Sequence, residues 1–497
     1  MLERLLTLDH GGVALETGDA EVSYADLGAA AGAVRDTLTG RGLGPGCLVA
    51  LVMDRDLAGV AGLIGCLQAG ACALPLCPGD PPHRLEQLLS LARPSALLAQ
   101  GVGLRPVRDL LQRGVPMPLC LETSDSAPPR PLEGGRNQPP VLVPHTAGLA
   151  LITAGPRARP RGIVHARASL DLLLTWASEL LDARPPDRTL ARCPLDQPGI
   201  ILELLLPLST GGTACLAPLD PPPGPLTLPL ILQRQRITLA HLGSSLGARM
   251  ADGARKLSLP SLRHLVFRGD PPRAGWLSHL LAALPGATLH SLACSAELPA
   301  LAHQVLEHGI TLRDPLPSGT PGPGLEVLLT GRALQPCGPG EEGEVWAHGP
   351  GLPLGHLNDR GLDEQLFIHR AKRRYLRTRQ RAYQDASGNL MLQGRSDRQV
   401  RVGGVHVDLT EVERCLCHCP GVTAAAVVAL PHHRDGNLLA ALVRGRRHGE
   451  ATLCLDRCAR LLPAHMVPTR VLVAERLPRT RTGAVDQVRV EMLLSED

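Results

Sequence analysis

Short apolar segments alternate along this chain with longer segments in which apolar residues recur at helical spacing. Gly42 to Val52 predicts a glycine turn that leads into a buried strand, and a helix is expected to follow and to run through Leu67. Gly70 to Pro78 predicts the next buried strand. Because strands that alternate with helices build parallel sheets, the pattern predicts an α/β architecture.

The clearest helix start lies ahead of these strands. Ser23 is followed three residues later by Asp26, a spacing typical of a capping box, and an alanine-rich segment then continues to Thr39. Farther along, Ser124 to Pro140 is rich in proline, glycine and charge, which predicts a surface loop.

Leu149 to Val164 is the segment around which the rest of the chain is organised. Its apolar run, Leu149 to Ile152, enters a turn rich in proline and arginine, and an apolar pair leaves that turn. This pattern predicts a strand, a tight loop and a second strand, with functional residues in the loop.

Composition limits the possible functions. The 497 residues are 44% hydrophobic, and a net charge of +4 is too small to indicate binding to nucleic acid or to an anionic membrane. Apolar runs stay well below the roughly 20 residues of a membrane span, and no export signal is recognisable, so we expect a cytoplasmic protein. The 14 scattered cysteines favour reduced thiols over a disulfide framework.

The loop segment resembles the phosphate-binding loop of the adenylate-forming enzymes, which include acyl-CoA ligases, luciferases and adenylation domains of nonribosomal peptide synthetases. Those loops typically have the sequence Thr-Ser-Gly-Ser-Thr-Gly-x-Pro-Lys-Gly. Four residues of this chain match that frame: Thr153, Gly155, Pro160 and Gly162. The resemblance implies that Thr153, Gly155 and Gly162 bind nucleotide, with Arg161 in the place of the catalytic lysine. The loop hydroxyls and glycine are replaced by Ala154, Pro156, Arg157 and Ala158.

Two further motifs of that family are altered here. Ser291 to Glu297 occupies the place of Asn-x-Tyr-Gly-Pro-Thr-Glu, in which only Glu297, implied to hold phosphate and magnesium, is retained. The aromatic residue that would lie against adenine is missing. Leu376 to Gln380 occupies the place of Tyr-Arg-Thr-Gly-Asp, so Gln380 replaces the ribose-binding aspartate and Arg379 replaces the glycine.

The best preserved motif spans Gly394 to Glu413. In the family it forms the hinge and first hairpin of a small C-terminal domain, so Arg395 is implied to contact ribose and Asp397 to act as the hinge. The resemblance predicts a large N-terminal domain of helix-covered sheets over residues 1–395 and a smaller hinged α+β domain over 396–497. Gly343 to Asn358 resembles a family hairpin, and Leu461 to Pro468 resembles a closing strand.

The catalytic lysine near the end of the family sequence is Ala484 in this chain. In members that activate amino acids, an aspartate holds the substrate ammonium, and Pro198 stands at its position. Either the loop is shifted and Asp196 binds the substrate, or the ammonium contact is absent. Arg268-Gly269-Asp270 lies where relatives have Gly-Gly-Glu.

A run of Cys415, Cys417, His418 and Cys419 could supply ligands to zinc. Its spacing matches no structural zinc pattern, and relatives have an amphipathic helix here. The sequence therefore predicts thiols on a helix and no metal site.

The reaction implied by the resemblance joins ATP and a carboxylic or amino acid into an acyl-adenylate, with magnesium as cofactor, before transfer to a thiol. The altered motifs predict weak or no use of ATP, because that catalysis depends on placed charges. Three functions stay open: a non-catalytic protein that binds a partner or ligand, a diverged ligase, and an ATP-independent enzyme that reuses the cleft. The partner would be a separate carrier protein or another component of a biosynthetic assembly.

Overall fold

The computed structural model describes residues 1–18, 20–124, 127–132, 136–137, 140–153, 160–218, 227–254, 258–269, 271–309, 312, 314–331, 334–432, 436–445, 450–479 and 485–495. The chain divides into two compact units. The first unit comprises residues 1–78, 89–152 and 162–394, and the second comprises 79–88, 153–161 and 395–497. No helix among the described residues combines the length and apolarity that a membrane span requires.

The helices that begin before residue 395 are amphipathic or wholly buried segments between strands. They are α1 (Leu2–Thr7), α2 (Tyr24–Thr39), α3 (Leu57–Gln68), α4 (Pro82–Ala92), α5 (Leu104–Gln112), α6 (Arg167–Leu180), a π-helical turn (Ile201–Leu205) that continues into α7 (Leu206–Thr210), α8 (Thr227–Arg234), α9 (Ser244–Ala254), α10 (Ala274–Ala283) and α11 (Arg360–Leu366).

The helix start predicted at Ser23 is confirmed, with Ser23 as the N-cap of α2. The Ser23 hydroxyl accepts a hydrogen bond from the backbone N–H of Asp26 at 3.1 Å and donates one to its carboxylate at 2.6 Å. These bonds satisfy a backbone donor that the first turn of a helix leaves unpaired. Helix α2 then ends at Thr39, the predicted residue.

The strands that begin before residue 395 are short. They are β1 (Val13–Thr17), β2 (Ala20–Ser23), β3 (Leu48–Val52), β4 (Cys72–Leu76), β5 (Ala96–Ala99), β6 (Pro116–Met117), β7 (Leu119–Ser124), β8 (Ala127–Pro131), β9 (Arg136–Asn137), β10 (Ala147–Thr153), β11 (Arg161–Ala166), β12 (Arg188–Ala191), β13 (Thr213–Leu216), β14 (Leu239–Gly243), β15 (His264–Arg268), β16 (Thr288–Ala293), β17 (Ala302–Leu306), β18 (Thr320–Pro321), β19 (Glu326–Thr330), β20 (Gly343–His348), β21 (Gly355–His356), β22 (Phe367–Arg370), β23 (Arg373–Gln384) and β24 (Leu390–Arg395).

Within the described residues these strands form two large sheets, one smaller sheet and a two-stranded sheet of β6 and β9. The first has the order β18-β17-β16-β15-β14-β12-β13-β1-β2, and the second has the order β21-β11-β10-β4-β3-β5-β7-β8. Their central pairs, such as β14 with β15 and β3 with β4, are parallel. Strands β3 and β4 are buried along their whole length, as parallel strands covered on both faces must be.

Two expectations for this part of the chain are wrong in detail. Residues 124–140 are not all loop, because β8 pairs with β7 in antiparallel register. Residues 343–358 are not a hairpin either. Strand β20 pairs with β19 and β23 of the smaller sheet, whereas β21 pairs with β11 in the second large sheet. Strands β20 and β21 therefore pair with strands of different sheets and not with each other. Local glycine turns cannot predict this pairing.

The second unit carries its own core. Its strands are β25 (Gln399–Val402), β26 (Val405–Asp408), β27 (Ala424–His432), β28 (Gly436–Arg444) and β29 (Arg470–Ala474), and its helices are α12 (Leu409–Cys417), α13 (Glu450–Leu461) and α14 (Gln487–Ser495). Strand β28 pairs antiparallel with β27 and parallel with β29. Leu461 to Pro468 is not a strand, because α13 ends at Leu461 and a 3₁₀ turn, Ala464–Met466, follows Pro463.

The two units differ in their content of aromatic residues. All three tryptophans, Trp176, Trp276 and Trp346, belong to the first unit, and no Phe, Tyr or Trp occurs in the sequence of the second. The second core is therefore built from aliphatic side chains and cysteines, such as Val412, Leu416, Cys454 and Cys458.

Candidate active site

Strands β10 and β11 flank the predicted phosphate loop, as the sequence indicates. The loop itself, residues 154–159 with Gly155, Pro156, Arg157 and Ala158, lies outside the described residues. Thr153 is buried at the end of β10. A Cβ atom on Gly162 would lie 2.4 Å from Cδ1 of Leu357, whose N–H donates to the Gly162 carbonyl at 2.7 Å. Packing against Leu357 alone is therefore a sufficient reason for glycine at residue 162.

Arg161, Arg395 and Asp397 belong to the second unit, as does Asp408, the N-cap of α12. Burial raises the pKa of the Asp408 carboxyl, the nearby charge of Asp397 also raises it, and the charge of Arg161 opposes them. Arg395 binds Asp397 through two hydrogen bonds of 2.7 Å each. The arginine implied to contact ribose is thus held by the residue implied to be the hinge. Ala484 lies outside the described residues.

Glu297 lies in a bend of the first unit that follows β16, and it is half-buried. His165 of β11, which the sequence analysis did not single out, lies beside it, with Nε2 at 2.7 Å from the Ala296 carbonyl oxygen. Burial lowers the pKa of His165, and the charge of Glu297 opposes that shift. A small cleft opens beside His165 and is lined mainly by apolar residues, including Leu173, Leu298 and Pro323.

The position implied to bind ribose lies on β23, where side-chain hydrogen bonds hold the backbone. Thr378 Oγ1 donates to the Val345 carbonyl at 2.8 Å and accepts from the Gln380 N–H at 3.1 Å. Between them, Arg379 has a φ of 58°, in the left-handed region that glycine adopts without strain. Residue 379, where the family motif has glycine, therefore adopts a backbone conformation that favours glycine, although this chain has arginine there.

This strained position yields a stability prediction. We expect Arg379→Gly to be more stable than Arg379→Ala by about 1 kcal/mol, because both variants lose the same side-chain contacts and only glycine avoids the left-handed penalty. Urea denaturation followed by tryptophan fluorescence measures the difference. Equal stabilities would mean that residue 379 does not keep its positive φ in solution.

The region of the predicted acid pocket contains a buried ion pair. Glu203 is 2% exposed and lies in the π-helical turn, where its Oε2 accepts from the N–H groups of Arg192 and Cys193 at 2.6 Å each. Its Oε1 binds Nη2 of Arg268, at the end of β15. No sequence signal distinguished Glu203, since a glutamate in an apolar helix has many possible roles.

Arg268 lies directly against the loop that should hold the substrate. A Cβ atom built on Gly199, the residue after Pro198, would lie 2.1 Å from Nη1 of Arg268. A second guanidinium, that of Arg55, donates to the carbonyls of Ala191 and Ala217. Burial lowers the pKa of Arg55, and the charge of Glu203 opposes that shift. Arg268 therefore pairs with Glu203 beside the position of the ammonium ligand, and the partly buried Arg55 is near enough to interact with the charge of the same carboxylate.

Asp196, the alternative ammonium ligand, lies in the turn before Pro198. Burial raises the pKa of its carboxyl to about 6, and its Oδ2 accepts a long hydrogen bond of 3.5 Å from Gln197. Whether Asp196 binds a substrate stays a prediction. Asp270 lies outside the described residues.

Imidazoles form a row across the first sheet near Arg268. His264 Nδ1 lies 3.0 Å from His290 Nε2, and His290 Nδ1 lies 3.1 Å from His303 Nε2. Burial lowers the pKa of His290 to about 3 and that of His303 to about 4. His241 on β14 is 2% exposed, and burial with the charge of Arg268 lowers its pKa well below the usual value. These side chains are neutral at pH 7.

The histidine row predicts acid sensitivity. Because the folded pKa values lie below the unfolded value of about 6.5, the unfolded state binds more protons as the pH falls. We expect the first unit to lose stability from about pH 6.5 down to pH 4, by up to ~1.4 kcal/mol per pH unit for each histidine. Tryptophan-detected urea denaturation across this range measures the slope.

The matched variants are His290→Leu, which should flatten that slope, and His279→Gln, which should not, since His279 is exposed on α10. An unchanged slope in His290→Leu would contradict the assignment.

Among the described residues, no group of three His, Cys, Asp or Glu side chains is arranged to hold a metal ion, and this includes the run from Cys415 to Cys419.

Two family models match the chain. One, described as AMP-binding enzyme, covers residues 7–357, and the other, described as AMP-binding enzyme C-terminal domain, covers residues 411–484. Novobiocin biosynthesis protein H of Streptomyces niveus is 28% identical over 95% of this chain and 79% of that protein.

Longer relatives also match. The probable non-canonical nonribosomal peptide synthetase CymA of Salinispora arenicola is 28% identical over 98% of this chain, which spans only 6% of that protein. Among solved structures, the amide bond synthetase McbA from Marinactinospora thermotolerans superposes with a TM-score of 0.86 over 99% of both chains, at 22% identity. The predicted α/β fold, with a large N-terminal and a small C-terminal domain, is confirmed.

Proposed function

Because the chain belongs to the AMP-binding enzyme family, we propose that it is an adenylation-domain homologue of natural-product biosynthesis whose ATP-dependent acid activation is impaired. In this proposal the protein binds a partner or a ligand of a biosynthetic assembly and is not an efficient source of acyl-adenylates. Family membership implies an ancestral use of ATP, for which magnesium is the usual companion. A chain can keep this fold after it has lost the ancestral reaction, because function depends on the site and not on the architecture.

The observation that carries the proposal is the ribose-binding strand. Thr378 and the left-handed residue 379 keep the backbone of the motif in place, whereas the charged acceptor has become the neutral amide of Gln380. Hydrogen bonds to a charged group contribute about 1.5–3 kcal/mol each, roughly twice those between neutral groups. An amide here still accepts a hydroxyl, but it cannot supply the charge-assisted bonds.

Other residues support the same conclusion. Arg161, which replaces the loop lysine, has the carboxyl of Asp408 nearby, and Arg395 is already bound by Asp397. By sequence, the closing lysine is Ala484 and the adenine-stacking aromatic residue is missing. Each of these groups would have to act on the nucleotide for rapid adenylation.

The direct test is nucleotide binding. We expect isothermal titration calorimetry with ATP and magnesium to give a dissociation constant of about 1 mM or weaker, or no measurable heat. Gln380→Asp is expected to tighten binding about tenfold, because it restores a charged acceptor. A low-micromolar constant for the unmodified protein would overturn the proposal.

A second candidate is a diverged ligase, and one observation specifies its substrate. Arg268 pairs with Glu203 beside the position of the ammonium ligand, and the charge of the same carboxylate acts on a second cation, Arg55. Like charges in a buried site repel strongly. If the protein activates an acid, that acid would lack an α-ammonium group, as an aryl acid does.

The proposed partner is a separate carrier protein or another component of a biosynthetic assembly. This part of the proposal rests on similarity to a nonribosomal peptide synthetase and to a novobiocin biosynthesis protein. The preserved hinge sequence around Asp397 fits a second unit that still moves when a partner binds.

A further inference from the structure

Two helices of the second unit each present two thiols, one helical turn apart. Cys415 lies in the last turn of α12 and Cys419 just beyond its end, while Cys454 and Cys458 lie on α13. All four are buried in the same core. Sγ of Cys458 lies 3.8 Å from Sγ of Cys415, close to van der Waals contact, and the side chains of Cys419 and Cys454 also interact.

The two facing thiols are not equivalent. Cys415 is 9% exposed, whereas Cys458 is fully buried. The Cys458 thiol donates a hydrogen bond to Cys415, and this bond together with the charge of Arg457 lowers the pKa of Cys415. The same hydrogen bond and burial raise the pKa of Cys458. Since the thiolate is the reactive form, Cys415 is the nucleophile of the pair.

We propose that Cys415 and Cys458 form a thiol–disulfide modification site that reacts with small disulfides and closes into a bond between α12 and α13. The Cys415 thiolate attacks one sulfur of a disulfide RSSR, which forms a mixed disulfide and releases RS⁻. Cys458 then loses its proton and attacks Sγ of Cys415, which releases a second RS⁻. Two protein thiols are oxidised and one RSSR is reduced to two RSH, so atoms and electrons balance.

Geometry favours this pair over other uses of the four thiols. Closing the bond requires the two sulfur atoms to approach from 3.8 Å to about 2.05 Å, a shift of less than about 2 Å. The described residues contain no group arranged to hold a metal ion. Cys417, the exposed thiol of α12, is not part of the proposed pair, so it serves as the control.

The experiment treats the full chain with oxidised glutathione and maps the products by mass spectrometry. Trypsin cleaves after Arg414 and Arg457, so the tripeptide 458–460 separates from Cys454 and remains attached to peptide 415–434 only through a disulfide. We expect this linked pair, with a mass loss of about 2 Da from two hydrogen atoms. Cys417→Ser should retain the linkage, and Cys415→Ser should lose it.

Cys458→Ser provides the sharper readout. Without its resolving thiol, Cys415 should stop at the mixed disulfide and accumulate one glutathione per chain, while circular dichroism shows that the variant is folded. Cys458→Ala gives an independent version of the same test. The proposal fails if tripeptide 458–460 stays free after treatment, if Cys415→Ser still links to it, or if glutathione is found on Cys417 alone. Release of one stoichiometric zinc ion from the untreated protein when thiols are blocked would also overturn it.

Discussion

A rebuilt variant is expected to catalyse ATP–pyrophosphate exchange at least ~10²-fold faster than the unmodified protein. The variant combines Gln380→Asp, Arg161→Lys and Ala484→Lys with Ser-Thr-Gly in place of residues 156–158. Adenylation is mainly electrostatic stabilisation of transferring phosphoryl charge, and each group placed for that purpose typically contributes 10² to 10³ in rate. Several of these groups are replaced here at once, so restoring them together should have a large effect.

The matched control is Ala484→Lys alone. One lysine should give little exchange, because it acts on a triphosphate that the rest of the cleft does not position, and groups that act as a unit are not additive. A panel of acids, each paired with its α-amino counterpart, tests the substrate class. We expect exchange only with acids that lack the ammonium, because of Arg268 and Arg55.

Two results would contradict this account. Strong exchange by the unmodified protein would mean that Arg161 performs the role of the loop lysine and that the protein is a working ligase. No exchange by the rebuilt protein, with ATP binding restored, would mean that Arg268 fills the acid pocket or that the cleft serves another reaction.

The second large effect is on stability. We expect Glu203→Gln to lower the free energy of unfolding of the first unit by about 3–5 kcal/mol, because it leaves the guanidinium of Arg268 buried without its counter-ion. All three tryptophans lie in the first unit, so their fluorescence reports its unfolding and not that of the second unit. Urea denaturation followed by this signal gives the free energy.

The double variant Glu203→Gln, Arg268→Met separates lost charge pairing from lost packing. It removes the unpaired cation and should recover most of the stability, since an apolar residue of similar volume often replaces a buried ion satisfactorily. A loss below 1 kcal/mol for Glu203→Gln alone would show that water reaches Arg268.

Local sequence signals predicted local structure well. Ser23 and Asp26 gave the start of α2, and the buried strands at residues 48–52 and 72–76 followed from their apolar runs. These features depend on residues a few positions apart, where backbone hydrogen bonds and burial act directly. Periodicity indicated an α/β architecture, and the resemblance of the motifs supplied the division into a large N-terminal and a small C-terminal domain.

The candidate site was less predictable because its contacts join distant residues. Glu203 and Arg268 are 65 positions apart, and His165 meets Ala296 across 131. Which carboxylate pairs with which guanidinium depends on how β12, β15 and the π-helical turn pack. That arrangement cannot be predicted from the spacing of residues in the sequence. The predicted hairpin at 343–358 failed for the same reason, since its two strands joined different sheets.

Gly162 shows how a motif residue can be kept for packing, whether or not the motif still binds nucleotide. Leu357 leaves no room for a Cβ at residue 162, so natural selection for a foldable chain would preserve this glycine even after nucleotide binding has ceased. In a lineage that drifts away from catalysis, the loop positions without such packing constraints should diverge first. The glycine then records descent, and its presence in a genome sequence is no evidence of enzymatic activity.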